Sequence, residues 1–263
     1  MIKLVLSDLD QTLLDTPRSG LTARAASAIR ALMDCGVVFG PCTGRSRLLL
    51  PSLFGPSTSD LYRSGVFDNG MVALLNGELV FRRTYDAASL ASLARRAERE
   101  RIGTLGVCGL PWAPAGFVTV DSNWLAAHGE AALSGLSKAN IHLPEGSDLV
   151  GVARRLEDLY PELDFVNPTR SRPILDVLAS GCSKAPGARA LAEAVGASLE
   201  EVLVFGDSDN DLEVLGAFTN SAAVADAKPA VLERARWVVG RCEDDGVAQA
   251  LEALASRLGA LPR

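Results

Sequence analysis

The chain has 263 residues, with 26 Lys and Arg against 32 Asp and Glu, a net charge of −6, and is 48% hydrophobic. This is the composition of a folded globular chain, not of a disordered or collagen-like one, and its acidic balance argues against a nucleic-acid partner. No apolar run reaches the roughly 18–20 residues of a membrane span, and five scattered cysteines without a CxxC pair, beside only two histidines, leave oxygen as the ligand type for any metal.

In chain order, Ile2–Leu6 is a short apolar run that predicts a strand buried on both faces. Thr22 is placed to cap a helix whose apolar stripe is Ala25, Ala28, Ile29, Leu32 and Met33, closed by Gly36. A strand at Val37–Phe39, a helix over Arg45–Phe54 and a strand at Ser64–Asp68 follow, the alternation of a parallel α/β sheet with right-handed crossovers. Asn76-Gly77 between Val72–Leu75 and Leu79–Phe81 is a two-residue hairpin signal.

The pattern then changes. A charged helix over Ala87–Arg101 and a strand near Thr104–Cys108 lead to Gly109–Gly116, whose glycines and prolines around Trp112 read as loop. Helices near Ser122–His128 and Asp148–Tyr160 mix with strands near Ile141–Leu143, Leu163–Val166 and Ile174–Val177. The alternation returns with helices at Lys184–Val195, Asp209–Leu215, Lys228–Ala235 and Gly246–Leu258 and strands at Val202–Phe205, Ala222–Val224 and Trp237–Val239. The expected organisation is a doubly wound parallel α/β core made of 1–82 and 173–263, interrupted by an α+β insert over 83–172.

Ligands of open α/β sheets bind beyond the C-terminal strand ends, and four such places carry chemistry. Asp8 and Asp10, two residues apart, are sent to one side by extended backbone, roughly 7 Å from each other. Such a pair suits a division of labour, one carboxylate attacking and the other donating a proton. In Cys42-Thr43-Gly44-Arg45, the Thr43 hydroxyl and the backbone near Gly44 can approach an anion. Lys184 is one of only four lysines, and it falls in the first turn of a helix capped by Ser183. The helix dipole disfavours a cation there, so a specific anion is expected beside it. Gly206-Asp207-Ser208-Asp209-Asn210-Asp211 ends a buried strand in a density of hard oxygen donors that calls for a cation, with Mg2+ the natural candidate.

Together these segments resemble the haloacid dehalogenase (HAD) superfamily of phosphohydrolases, and within it the Cof-type group with a type IIB cap. Asp8-Leu9-Asp10-Gln11-Thr12 is similar to the DxDGT signature, Thr43-Gly44-Arg45 to the second motif, Ser183-Lys184 to the third and Gly206–Asp211 to the GDxxND motif. Asp68-Asn69-Gly70 is similar to the approach to the cap. The resemblance implies a Rossmann-like core and a Mg2+-dependent phosphatase acting on a small phosphorylated metabolite, a sugar phosphate. Asp8 would be the nucleophile and Asp10 the general acid and base. Thr43, Gly44, Arg45, Lys184 and Asn210 would bind substrate. Asp8, the backbone carbonyl of Asp10 and Asp207 would hold the metal, with Asn210 and Asp211 supporting that site or the lysine.

The same resemblance admits a phosphomannomutase-like phosphomutase, or a non-catalytic member that binds a phosphorylated ligand; the presence of both Asp8 and Asp10 argues against the latter. The insert would act as a lid, with Trp112, Trp124, His128, His142, Arg170 and Arg172 as candidates for substrate contact. No nucleic-acid or membrane partner is expected, the chain being a cytoplasmic monomer or small homo-oligomer. Two departures stand out. Gln11 replaces the usual glycine, which would narrow the loop or add a polar contact near the phosphate. Ala185-Pro186-Gly187 after Lys184 predicts a shifted helix start.

Overall fold

β1 (Leu4–Ser7) is apolar on both faces because it lies at the centre of a sheet, and every one of its residues is buried. The computed structural model describes residues 1–15, 20–168 and 172–259. After β1 come α1 (Ala23–Asp34), β2 (Val38–Pro41), α2 (Pro51–Phe54) and a sheet of β3 (Gly65–Phe67), β4 (Val72–Leu75) and β5 (Glu78–Arg82). Thr22 caps α1 as its sequence position predicts, its hydroxyl accepting the Ala25 N–H at 3.1 Å.

Two expectations for this half are corrected. The helix expected over Arg45–Phe54 is broken into a 3-10 turn at Arg47–Leu49 and α2; Leu50 between them keeps helical backbone, but Pro51 has no N–H to carry the hydrogen-bond ladder across the junction. The strand expected at Ser64–Asp68 does not extend the parallel sheet. It pairs antiparallel with β4, and beside β2 it makes just beyond that strand's end a single parallel bridge, Cys42–Val66, with the Thr43 N–H donating to the Val66 carbonyl at 2.9 Å.

The chain forms two compact units, one of Met1–Phe81 with Ser183–Arg263 and one of Arg82–Cys182. The second contains α3 (Ala87–Arg99), β6 (Thr104–Leu110), β7 (Ala113–Val120), α4 (Ser122–His128), β8 (Lys138–His142), α5 (Leu149–Leu159), β9 (Leu163–Val166) and β10 (Ile174–Ala179). Its strands form one antiparallel sheet in the order β7-β6-β8-β10-β9. Leu105, Val107, Ala139, Ile141, Leu175 and Val177 share its buried face, and α3 and α5 pack on this sheet.

The stretch expected as a loop at Gly109–Gly116 is instead mostly strand. Pro114 is accommodated because β7 lies at the sheet edge. The insert also ends at Cys182 rather than at 172, because β10 pairs with β8 and β9 inside this sheet. Trp112, Trp124 and His128 stack in this unit, with ring centroids 4.6–6.4 Å apart. Arg172 is exposed, and Arg170 lies outside the described residues.

The remaining elements are α6 (Lys184–Val195), β11 (Val202–Gly206), α7 (Leu212–Ala217), β12 (Asn220–Val224), α8 (Pro229–Arg234), β13 (Trp237–Val239) and α9 (Gly246–Gly259). The helix start at Lys184 is not shifted. Pro186 fits in the first turn, where N–H groups have no intrahelical partner. Between β11 and α7 the Asp209–Asp211 segment is a 3-10 turn rather than the first turn of an α-helix.

The five strands of the core run parallel in the order β13-β12-β11-β1-β2. From β1 the chain steps one way to β2, and from β11 it steps the other way to β12 and β13. Right-handed crossovers in opposite directions put helices on both faces. α1 packs with α9, while α6, α7 and α8 pack in succession. The direction reverses between β1 and β11, and this is where such a sheet binds ligands.

Candidate active site

β1 and β11 lie in register up to Ser7 opposite Phe205, and the Asp8 N–H donates to the Phe205 carbonyl at 3.0 Å. Asp8 and Asp207 therefore leave adjacent strand ends at the reversal point. Between them stands Lys184, the first residue of α6, where Ser183 Oγ accepts the Ala185 N–H at 3.2 Å. The lysine is only 1% exposed. Its Nζ donates to Asp8 Oδ1 at 2.6 Å and to Asp211 Oδ1 at 2.7 Å. The anion expected beside a cation in this unfavourable helical position is thus a pair of carboxylates.

Asp211 has both oxygens in use, since Oδ2 accepts the Asp207 and Ser208 N–H groups at 3.1 and 3.2 Å. Thr12 Oγ1 donates to Asp207 Oδ1 at 2.7 Å. That role for Thr12 went unread in the sequence, although its place at the end of the Asp8–Thr12 signature was the available signal.

Burial pushes the Asp8 carboxyl well above its ordinary pKa; Lys184 opposes this, while Asp211, Asp207 and Asp10 add to it. Asp207 is pushed up to about 6, first by burial, against the Thr12 hydrogen bond. Burial works against the charge on Lys184, but Asp211 and Asp8 outweigh it and its pKa is raised. Three acidic side chains thus crowd round one buried ammonium. Asp8, Asp207 and Asp211 each offer an oxygen, all within 4.8 Å of one another. Hard, mutually repelling and desolvated donors of this kind fit a divalent cation. With Asp211 spent on Lys184 and the loop N–H groups, Asp8 and Asp207 are the carboxylates suited to hold it.

The other expected residues divide. Asp10 turns its carboxylate to Arg45, which grips both oxygens at 2.7 Å through Nε and Nη2. Asp10 can therefore enter a metal set only through its backbone, and Arg45 is spent on Asp10. Thr43 is buried and its Oγ1 accepts the Arg45 N–H at 3.2 Å. Gly44 passes so close to Asn69 that a Cβ would fall 2.7 Å from Asn69 Oδ1. Asn210 is oriented by Ser208 Oγ, which donates to its Oδ1 at 2.7 Å. Gln11 adopts a left-handed φ of 61°, the conformation that makes glycine favourable there. Its exposed side chain bonds the Asp15 carbonyl and stitches the local turn, away from the role expected near a phosphate.

The sequence pattern of the haloacid dehalogenase-like hydrolases matches residues 5–109 and 141–251. An HMP-PP phosphatase of Yersinia enterocolitica is 26% identical over 279 residues, covering 96% of this chain and 95% of that one. Of a longer Streptococcus pyogenes protein, whose name pairs a phosphatase with a peptidyl-prolyl cis-trans isomerase, the chain covers only 17%, at 38% identity over 79 residues. Among solved structures, BT1666 from Bacteroides thetaiotaomicron, described among phosphatases of the HAD superfamily, superposes with a TM-score of 0.76 at 20% identity, covering 99% of this chain and 96% of that one. The HAD subclass IIB sugar phosphatase BT4131 does so at 0.75 and 18%, covering 96% and 98%.

Proposed function

Since this chain belongs to the haloacid dehalogenase-like hydrolases and is a phosphatase of that family, we propose that it hydrolyses a small sugar phosphate with Mg2+ by way of a phosphorylated Asp8. The observation that carries this reading is Lys184 Nζ at 2.6 Å from Asp8, at the strand end where Asp207 also emerges. The ammonium opposes the burial that raises the Asp8 pKa, and so favours the ionised carboxylate that attacks phosphorus.

The Asp8 oxygen bonds to phosphorus as the bond to the sugar oxygen breaks, and Asp10 gives that oxygen a proton. Asp10, now a carboxylate, takes a proton from water. The water oxygen attacks phosphorus, releasing phosphate and restoring Asp8. Thr43, Gly44 and Asn210 would steady the phosphoryl oxygens, while Lys184 balances their charge. Arg45 must loosen its grip on both Asp10 oxygens before Asp10 can carry a proton. Asp8, Asp207 and the Asp10 carbonyl would hold Mg2+, which when bound neutralises charge on the phosphoryl group.

The test is p-nitrophenyl phosphate turnover with and without Mg2+, beside Asp8→Asn. Metal-dependent release is expected, with a loss of several orders of magnitude in the variant, as for removal of a nucleophile. Equal activity in the variant ends this mechanism. A panel of phosphorylated sugars and other phosphorylated metabolites then tests the substrate class.

A further inference from the structure

The segment Asp68-Asn69-Gly70 runs through three successive left-handed residues, with φ of 54°, 54° and 93°. Left-handed backbone is disfavoured for an ordinary L-residue, less so for Asp and Asn. Asp68 and Asn69 are each only 4% exposed. Two buried polar residues therefore occupy backbone that glycine would adopt more easily, in direct contact with the candidate site.

This segment touches the Thr43–Arg45 loop, Asn210 and the start of α6. The Asn69 N–H donates to the Thr43 carbonyl and the Asp68 N–H to the Arg45 carbonyl, both at 3.1 Å. The Asn69 amide lies over Gly44, where any side chain would collide with it. Asn210 Nδ2 stands 3.5 Å from Asn69 Oδ1. Gly70 is pressed so closely on the residue before Lys184 that a Cβ would fall 1.8 Å from the Ser183 carbonyl oxygen.

We infer that Asn69 is a positioning residue: its side-chain amide holds Gly44 and Asn210 at the spacing that grips one phosphoryl group. Backbone geometry alone would be met by glycine, so the amide is what the position adds. Asn69 acts through Gly44 and Asn210, the two residues its carboxamide faces. The inference rests on the phosphatase reading, which identifies those two residues with a phosphate.

The test is Asn69→Gly, which keeps the left-handed backbone without strain and removes only the amide. Inorganic phosphate is titrated calorimetrically in the presence of Mg2+, beside turnover of p-nitrophenyl phosphate and thermal unfolding. The phosphate Kd and the KM are expected to rise about tenfold, equivalent to about 1.4 kcal/mol, with kcat changed less and Tm within about 2 °C of wild type. Combined with Asn210→Ala, the same change is expected to weaken binding less than about twofold, because coupled neighbours are not additive.

Unchanged phosphate affinity in Asn69→Gly overturns the inference. So does an equal loss in both backgrounds, or a large fall in Tm, either of which makes Asn69 a structural residue. A wild type that binds phosphate but hydrolyses no ester ends the proposed function, while the binding arm still decides the role of Asn69.

Discussion

Lys184→Met removes the one ammonium from the site. In the wild type Nζ pairs with Asp8 at 2.6 Å and Asp211 at 2.7 Å, and these carboxylates are 5% and 1% exposed. Methionine matches the stem in volume, so the change is almost purely one of charge. Deleting one partner of a buried ion pair costs about 3–5 kcal/mol, because the remaining charge is stranded in low dielectric. Here two carboxylates are stranded, facing each other, and protonation of Asp8 limits the penalty to that range. At about 2–4 °C per kcal/mol for a unit of this size, Tm should fall by roughly 6–20 °C in metal-free buffer. Scanning calorimetry measures it. Adding Asp211→Asn to Lys184→Met removes one stranded charge, so the double variant should lose at least about 1 kcal/mol less than the sum of the single losses. A Tm for Lys184→Met within about 2 °C of wild type, or simple additivity in the cycle, refutes the picture of a lysine holding two buried anions together.

Mg2+ at a hundred times its Kd should stabilise the fold by about 2.7 kcal/mol, seen as a rise in Tm that Asp207→Asn abolishes; an equal rise in the variant removes Asp207 from the metal set. Gly70→Ala and Gly77→Ala place a Cβ at nearly the same φ, 93° and 91°, but only the former meets atoms within 4 Å. Gly70→Ala should therefore be less stable than Gly77→Ala by about 1–3 kcal/mol, the usual cost of overpacking, and equal denaturation midpoints would contradict the close approach to Ser183. The thiols of Cys42 and Cys242 are pushed up to about 12, first by burial. At pH 8 iodoacetamide should label half-buried Cys35 before either, and all five cysteines once the chain is unfolded; native labelling of Cys42 would count against its burial. These thiols stay neutral in the fold, whereas unfolded thiols ionise from about pH 8.5. Their contribution is therefore complete below that pH and lost as pH climbs towards 12.

Elements whose pattern reflected one local cause were legible in advance. Thr22 and Ser183 announce helix starts by their capping hydroxyls, and Asn76-Gly77 announces the hairpin that sits between β4 and β5. What escaped was set by partners distant in sequence. Nothing in Gly65–Phe67 tells a parallel neighbour from an antiparallel one; the adjacent hairpin decides it. Of the prolines that made 109–116 look like loop, Pro111 lies in the turn between β6 and β7, and Pro114 is tolerated because β7 ends up at an edge, a fact of sheet order alone. In the candidate site, Asp8, Lys184 and Asp207 stood out by residue type and setting. The grip of Arg45 on Asp10 did not, because it depends on two loops meeting across the sheet. The consecutive left-handed Asp68 and Asn69 carried a readable signal, residues tolerant of that conformation just before a glycine, but not the knowledge that they are buried.

The central position of β1 has a consequence for biosynthesis. Leu4 pairs with Val202, so this strand leaves the ribosome about 200 residues ahead of one of its two neighbours; at about 5–20 residues per second it waits some 10–40 s for that edge to be covered. During that interval an apolar ribbon with an open edge invites pairing with other nascent chains. Appending a second copy of the segment carrying β11 to the amino terminus, or permuting the chain so that β11 is made first, would shorten the delay and should raise the yield of native protein without altering its final stability.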